Sequence, residues 1–190
     1  MFPGVNREME SLKHIQSFDL FETETRYKGS EIFVNKAGKD FWGDRGAGIL
    51  PCALDDEGVW HYLVALRGPE SNEPDTWGVW GGMIDKGEKP ETAMKREFGE
   101  EAGYDEKKDG KIKIITSVLF KTEGFEYYNY LGVIPKKFTP DLRDADAWET
   151  TEAKWVTWDE MLKLKLHFGL KYLIDHWPKA SFQYDKNKEH

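Results

Sequence analysis

Three glutamates close together carry the strongest chemical signal in this sequence. Glu97, Glu100 and Glu101 stand at positions i, i+3 and i+4, so on a helix they share one face within about 100° of arc. Like charges at these spacings destabilise an isolated helix by about 0.2–0.5 kcal/mol per pair. A hard divalent cation would offset the repulsion, and carboxylates together with phosphate suit Mg²⁺ or Mn²⁺. A solvated acidic helix face is the alternative for the cluster taken alone.

The residues around the cluster favour the cation site. Gly81-Gly82 stands at a strand end, a tight turn follows at 85–87, and Glu88 lies eight residues before Arg96. A helix is predicted over Pro90–Ala102, because proline favours the first turn and glycine follows the last.

The stretch Gly82 to Tyr104 resembles the Nudix box, Gly-x5-Glu-x7-Arg-Glu-U-x-Glu-Glu-x-Gly-U, in which U is a bulky apolar residue. It matches all fixed positions, namely Gly82, Glu88, Arg96, Glu97, Glu100, Glu101 and Gly103. A looser resemblance spans 46–177. The sequence departs from the pattern at Trp80, where proline is usual, at Tyr104, and at Gly99, whose mid-helix position costs about 1 kcal/mol relative to alanine.

The resemblance implies roles for the acidic cluster. Glu100 and Glu101 would ligate Mg²⁺, or Mn²⁺ in its place, together with the backbone carbonyl of Gly81. Glu97 would be a further ligand or the base that activates water. Arg96 would serve catalysis indirectly, without touching the substrate.

Arg96 would orient Glu97 or pair with Glu88. The remaining box positions, Gly82, Glu88 and Gly103, are expected to be structural: Gly82 would open the box and Gly103 would end the helix.

Many members of this family add an acidic group from a late loop that precedes a tryptophan-containing strand. Glu149, six residues before Trp155, is the candidate for that catalytic role. Glu152 is the rival, and a plain surface position is the alternative for Glu149. Arg67 follows the second predicted strand and would contact a phosphate or form a surface salt bridge.

The function implied by the resemblance is Mg²⁺-dependent pyrophosphohydrolysis. Metal-activated water would cleave a diphosphate linkage in a nucleoside-diphosphate derivative, whether a nucleoside triphosphate, a nucleotide sugar or a dinucleotide. Leu119 replaces the proline that marks ADP-ribose hydrolases, and the NADH and coenzyme A signatures are absent. Aromatic residues between Phe120 and Tyr130 would stack a nucleobase or pack in the core.

The sequence is also compatible with three other functions. A binding or sensor module of the same fold usually lacks one or more box carboxylates, whereas this chain keeps all of them. Hydrolysis at an RNA 5′ end is a further alternative, although a net charge of −8 argues against an extended nucleic-acid partner. Isopentenyl-diphosphate isomerase has the same fold but needs a catalytic cysteine, for which Cys52 is the single candidate.

The hydrophobic pattern predicts an α/β/α sandwich around a mixed β-sheet. Strands are expected at 48–54, 60–66, 111–120, 127–134 and 155–157, with a loop over 68–77. A closing helix is expected to run from Asp159 towards Trp177.

We expect three segments: an N-terminal extension over 1–40, a Nudix hydrolase domain over 41–180, and a polar tail over 181–190. The extension is predicted to contain a helix at 6–22 and a strand at 31–35, and to form a homodimer interface or a substrate rim. Because the sequence has neither a signal-peptide pattern nor an apolar run of about 20 residues, we expect a cytoplasmic protein without membrane contact.

Overall fold

The computed structural model describes residues 45–176, except for 70, 72, 123–124 and 144–148. The helix and strand predicted within 1–40, and the tail at 181–190, lie outside the described residues. In the part that is described, no helix is long and apolar enough to cross a membrane.

The described residues form one mixed sheet with three helices. The strands are β1 (Arg45–Leu54), β2 (Trp60–Arg67), β3 (Trp77–Gly78), β4 (Trp80–Met83), β5 (Lys113–Thr122), β6 (Phe125–Val133) and β7 (Thr150–Val156). The helices are α1 (Pro90–Ala102), α2 (Trp158–Met161) and α3 (Phe168–His176). The sheet order is β3-β2-β1-β6-β5, while β4 pairs with β1 and β7 pairs with β2. Since β1 is parallel to β6 and antiparallel to β2 and β4, the predicted mixed sheet is confirmed.

Helices pack against both faces of the sheet, which confirms the predicted sandwich. Alternate residues of a strand point to opposite faces. On β1, Ile49 belongs to the core that contains Met94 and Phe98 of α1. Leu50 belongs to the opposite core, which contains Leu170 of α3.

Helix α1 begins and ends where the sequence predicted. Pro90 stands at its first turn, and Gly103 at its C-cap has a left-handed φ of 71° with its N–H bonded to the Gly99 carbonyl. Trp80, which replaces the usual proline before the box, is fully buried, and its Nε1 donates to the Leu63 carbonyl at 3.0 Å.

The prediction of one closing helix was wrong. Two helices, α2 and α3, are separated by residues 162–167, which include an isolated bridge between Trp77 and Leu166. The Trp77 N–H donates to the Lys165 carbonyl, and the His167 N–H donates to the Trp77 carbonyl. Backbone groups that a continuous helix would use are therefore bonded to β3.

Strand β7 is longer than predicted, because it begins at Thr150 rather than at Trp155. Its residues Thr151, Glu152 and Lys154 are exposed, so the segment lacks the apolar alternation by which strands are recognised. The predicted loop over 68–77 likewise ends at Trp77, which opens β3.

Candidate active site

Arg96 links the turn before α1 to the carboxylates on the helix. Its Nε and Nη2 donate to the Glu88 carboxylate at 3.1 and 2.9 Å, and Nη2 also donates to the Met83 carbonyl at 2.9 Å. Its Nη1 donates to Glu97 at 2.7 Å and to Glu100 at 3.1 Å. The guanidinium thus contacts both of the glutamates with which the sequence associated it.

Of the carboxylates that Arg96 contacts, Glu88 and Glu97 have pKa values that shift in opposite directions. The hydrogen bond from Arg96 lowers the pKa of Glu88. At Glu97 loss of water dominates and raises the pKa, although the hydrogen bond and charge of Arg96 oppose the shift. Glu97 is therefore a better proton acceptor than an ordinary glutamate.

Glu101 lies against the end of β4. Its Oε2 accepts a hydrogen bond from the Gly81 N–H at 3.0 Å. Loss of water raises the pKa of Glu101 well above its usual value, and the negative charge of Glu149 adds to the shift. The structure therefore brings Glu101, Gly81 and Glu149 to one place.

Glu149 and Glu152 have different surroundings. Glu149 directly precedes β7, is partly buried, and its carbonyl accepts from the Gly68 N–H at 2.8 Å. Glu152 is exposed, and on β7 it pairs with Leu66. Of the two, Glu149 is the one whose charge acts on Glu101.

Arg67 is the last residue of β2 and faces the same group of carboxylates. Burial lowers the pKa of its guanidinium, whereas Tyr127, Glu101 and Glu149 act in the opposite direction. A cation held beside two carboxylates can also bind a phosphate that approaches them.

Tyr127 joins this group, and the sequence did not single it out as a site residue. A Cβ on Gly48 would clash with the Tyr127 hydroxyl oxygen, and one on Gly81 would lie 2.8 Å from it. Burial raises the pKa of the phenol, and the charge of Glu101 adds to that effect. Paired glycines in a strand signal a close approach of this kind, so Gly46 and Gly48 were the available clue.

A cavity opens beside Gly81 and extends towards α3. The empty space within it and at its mouth, open solvent included, is about 570 Å³. Its wall is mostly aromatic with a few polar groups, and its lining residues are Arg67, Val79, Gly81, Phe120, Phe125, Tyr127, Asn129, His167, Phe168, Gly169 and Tyr172. The aromatic residues between Phe120 and Tyr130 therefore lie on two sides of the sheet. Phe120, Phe125 and Tyr127 line the cavity. Tyr128 and Tyr130 pack against the core on the α1 side.

The donor set fits a hard divalent cation by chemistry. Glu97, Glu101 and Glu149 are oxygen donors, and the negative charges of Glu149 and Glu97 add to the burial that raises the pKa of Glu101. A cation would offset that repulsion. Among the described residues, no three such side chains converge closely enough to enclose an ion as they stand. Because Arg96 holds Glu97 and Glu100, binding would require Glu100 to leave Arg96.

Cys52 does not fit the role of an exposed catalytic thiol. It lies within β1 with 4% of its surface exposed, and burial raises its pKa to about 12. A protonated, inaccessible thiol is a poor nucleophile or acid catalyst, which argues against an isomerase that depends on it.

Comparison with known proteins places the chain in a family. The NUDIX domain family model matches residues 44–177. A Mycobacterium tuberculosis (strain CDC 1551 / Oshkosh) protein named "Putative 8-oxo-dGTP diphosphatase 3" is 30% identical over 152 residues, which cover 78% of this chain and 69% of that protein. The mitochondrial ADP-ribose pyrophosphatase of Rattus norvegicus is 37% identical over 98 residues, which cover 48% of this chain and 25% of that protein.

A solved structure agrees with these relatives. RenU, a Nudix hydrolase of M. smegmatis, has a TM-score of 0.57 and 25% identity, covering 77% of this chain and 95% of that one. The chain therefore belongs to the Nudix family, and it is a hydrolase of phosphoric anhydride bonds.

Proposed function

We propose that this protein is a Mg²⁺-dependent pyrophosphohydrolase that cleaves a diphosphate linkage in a nucleoside-diphosphate derivative. The observation that carries the proposal is the meeting of Glu101, Glu149 and Arg67 beside Gly81. Carboxylates that would bind a metal ion and a guanidinium that would bind a phosphate therefore face the same small region.

The residues divide the chemistry between them. Bound through Glu100, Glu101 and the Gly81 carbonyl, Mg²⁺ would withdraw charge from the diphosphate oxygens and acidify the attacking water. Glu97, whose pKa is raised, takes the proton as general base or acts as a further ligand.

Two residues outside α1 also take part, one just before β7 and one at the end of β2. Glu149 holds the attacking water in line with the leaving oxygen, and Arg67 binds a phosphate oxygen. Arg96 is a positioning residue, because it fixes Glu97 through a 2.7 Å hydrogen bond.

The names of the relatives support a nucleotide substrate. One is named for 8-oxo-dGTP and the other for ADP-ribose, and both compounds contain a phosphoric anhydride attached to a nucleoside. We include nucleoside triphosphates, nucleotide sugars and dinucleotides in the proposed class.

A substrate panel assayed with Mg²⁺ tests this proposal. It should include 8-oxo-dGTP, the common nucleoside triphosphates, ADP-ribose, a nucleotide sugar and a dinucleoside polyphosphate. We expect at least one compound to be cleaved at its anhydride with kcat/KM of about 10⁴ M⁻¹s⁻¹ or more. If every compound is hydrolysed at the enzyme-free rate, the proposal is wrong.

A further inference from the structure

The cavity beside the proposed catalytic residues is lined by a residue whose buried acceptor is not used by any described group. Asn129 is 2% exposed and lines the cavity. Within the described part of the chain, its Oδ1 has no hydrogen-bond partner. Leaving a buried acceptor unbonded is destabilising, so a ligand that donates a hydrogen bond to it would recover that free energy.

The orientation of the Asn129 amide is set by its neighbour. Its Nδ2 donates to the Tyr127 carbonyl at 3.3 Å. A flipped amide would place two acceptor oxygens against each other, so the available group is the oxygen. Asn129 therefore selects a ligand atom that carries a hydrogen.

His167 supplies a complementary donor in the same cavity. Its Nδ1 accepts from the Gly169 N–H at 3.2 Å, which leaves the proton of a neutral ring on Nε2. Burial, together with the neighbouring charge of Arg67, lowers the pKa of His167 well below its usual value. The imidazole is thus neutral at pH 7.

Aromatic rings complete the wall. Phe120 lies 5.9 Å from Phe168 and 5.1 Å from Tyr172, ring centre to ring centre, both in edge-on arrangements. The combination of aromatic walls, one acceptor and one donor suits a planar heterocycle with a polar edge.

The cavity is continuous with the catalytic site, because Gly81 and Arg67 line it as well. A nucleotide whose phosphates lie at these two residues would extend its base towards Phe168. We infer that this cavity is the nucleobase site, and that the Asn129 Oδ1 reads the base by accepting a hydrogen bond from a base N–H. The inference rests on the proposed function for the position of the phosphates.

Equilibrium binding tests the inference without hydrolysis. The full chain, with Mg²⁺, is titrated calorimetrically with AMP, GMP, CMP, UMP and ribose 5-phosphate, none of which contains an anhydride. We expect at least one nucleotide to bind about tenfold or more tightly than ribose 5-phosphate. Equal affinity for ribose 5-phosphate and all four nucleotides would show that no base site exists, even if the substrate panel succeeds.

The Asn129→Leu variant tests the same contact by changing the protein. It should weaken binding of the tightest nucleotide about fivefold or more and change the ribose 5-phosphate Kd by less than about twofold. Tyr128→Phe is the matched control, because it removes one polar group from the same strand on the opposite face, and it should leave both affinities unchanged. Since the leucine removes an unsatisfied acceptor, the Tm of the variant should not fall.

If the variant does not fold, a change in the nucleotide tests the same contact. An analogue of the tightest nucleotide, with its base N–H hydrogens replaced by methyl groups, should lose about fivefold or more affinity for the unmodified protein. Unchanged affinity for the analogue, or unchanged nucleotide affinity in folded Asn129→Leu, would overturn the role of Asn129.

Discussion

At the scale of single residues, the negative charges of Glu97 and Glu149 repel that of Glu101. Burial raises the pKa of both Glu97 and Glu101, and Glu149 adds its charge at Glu101. Arg96 donates a hydrogen bond to Glu97, and the positive charge of Arg67 opposes the rise in the pKa of Glu101. Charges arranged in this way reduce the stability of the metal-free protein and favour binding of a cation.

Glu101→Gln should therefore change stability and activity in opposite directions. In chelator at pH 8 its Tm should rise by about 2 °C or more, because a buried charge is removed. With Mg²⁺ its kcat should fall by about 10³-fold or more, roughly 4 kcal/mol of transition-state stabilisation. Calorimetric melts and steady-state kinetics measure the two effects.

The pH dependence of that stability gain follows from the sign of the shift. The pKa of Glu101 is raised above 4.5 in the folded chain, so its ionisation costs stability as pH rises beyond 4.5. The Tm gain should be full at alkaline pH and disappear near pH 4, where the side chain is protonated in both states. Glu91→Gln, which alters an exposed glutamate paired with Lys95, should not raise the Tm. A lower Tm for Glu101→Gln at pH 8 would contradict the proposed repulsion.

Glu149 and Glu152 form a natural pair for substitution. Glu149→Gln should lower kcat by about 10- to 10³-fold with a smaller effect on KM, because the side chain acts beside Glu101. Glu152→Gln should leave both constants nearly unchanged, since its side chain is exposed on β7. Steady-state kinetics on the best substrate decide between them, and the reverse ranking would assign the role to Glu152.

Apart from Glu149 and Arg67, which are predicted from their positions next to strands, the sequence indicates site residues only where they are adjacent in the chain. The acidic cluster, Arg96 and Glu88 lie within one motif whose spacing is readable. Tyr127, Asn129 and His167 reach the site through pairing between distant strands and through the chain before α3. The local sequence around a tyrosine or asparagine in a β-strand does not show whether that residue belongs to a functional site or to the core.

At the scale of elements, one close approach in the site joins β4 to α1. A Cβ built on Gly82 would lie 2.5 Å from Oε2 of Glu97. The residue must therefore be glycine if the Glu97 carboxylate is to lie against the strand.

Gly82→Ala should displace Glu97 without unfolding the protein, because the obstructing atoms are the end of a flexible side chain. We expect kcat to fall about 10- to 100-fold, with a Tm change of less than about 3 °C. Met83→Ala is the control, since that neighbouring side chain is 47% exposed, and it should retain activity. An unchanged kcat in Gly82→Ala would show that the position of Glu97 is not critical.

Elements with strong end signals or clear alternation were predictable, and the others were not. Helix α1 has proline at its start and glycine after its end, and its predicted bounds are confirmed. Strand β7 has exposed polar residues that hide its pattern, and the closing helix is interrupted because β3 binds the backbone near Leu166. Both failures come from tertiary hydrogen bonds that local sequence does not record.

At the scale of the whole molecule, the sheet separates two tasks. Helix α1 packs on one face and brings the acidic cluster to the end of β4, while α3 packs on the other and closes the aromatic cavity. Gly81 lies where the two meet, since it contacts Glu101 and also lines the cavity. A substrate with a charged diphosphate and a flat base fits this division.

The dependence of hydrolysis on a divalent cation is the most direct test of the central claim. The best substrate from the panel is assayed in excess EDTA, and then after Mg²⁺ or Mn²⁺ is restored. We predict that cleavage falls to the enzyme-free rate in chelator and returns fully with either cation, because the carboxylates around Glu101 need a positive partner to bind a diphosphate. Undiminished turnover in EDTA would contradict the account.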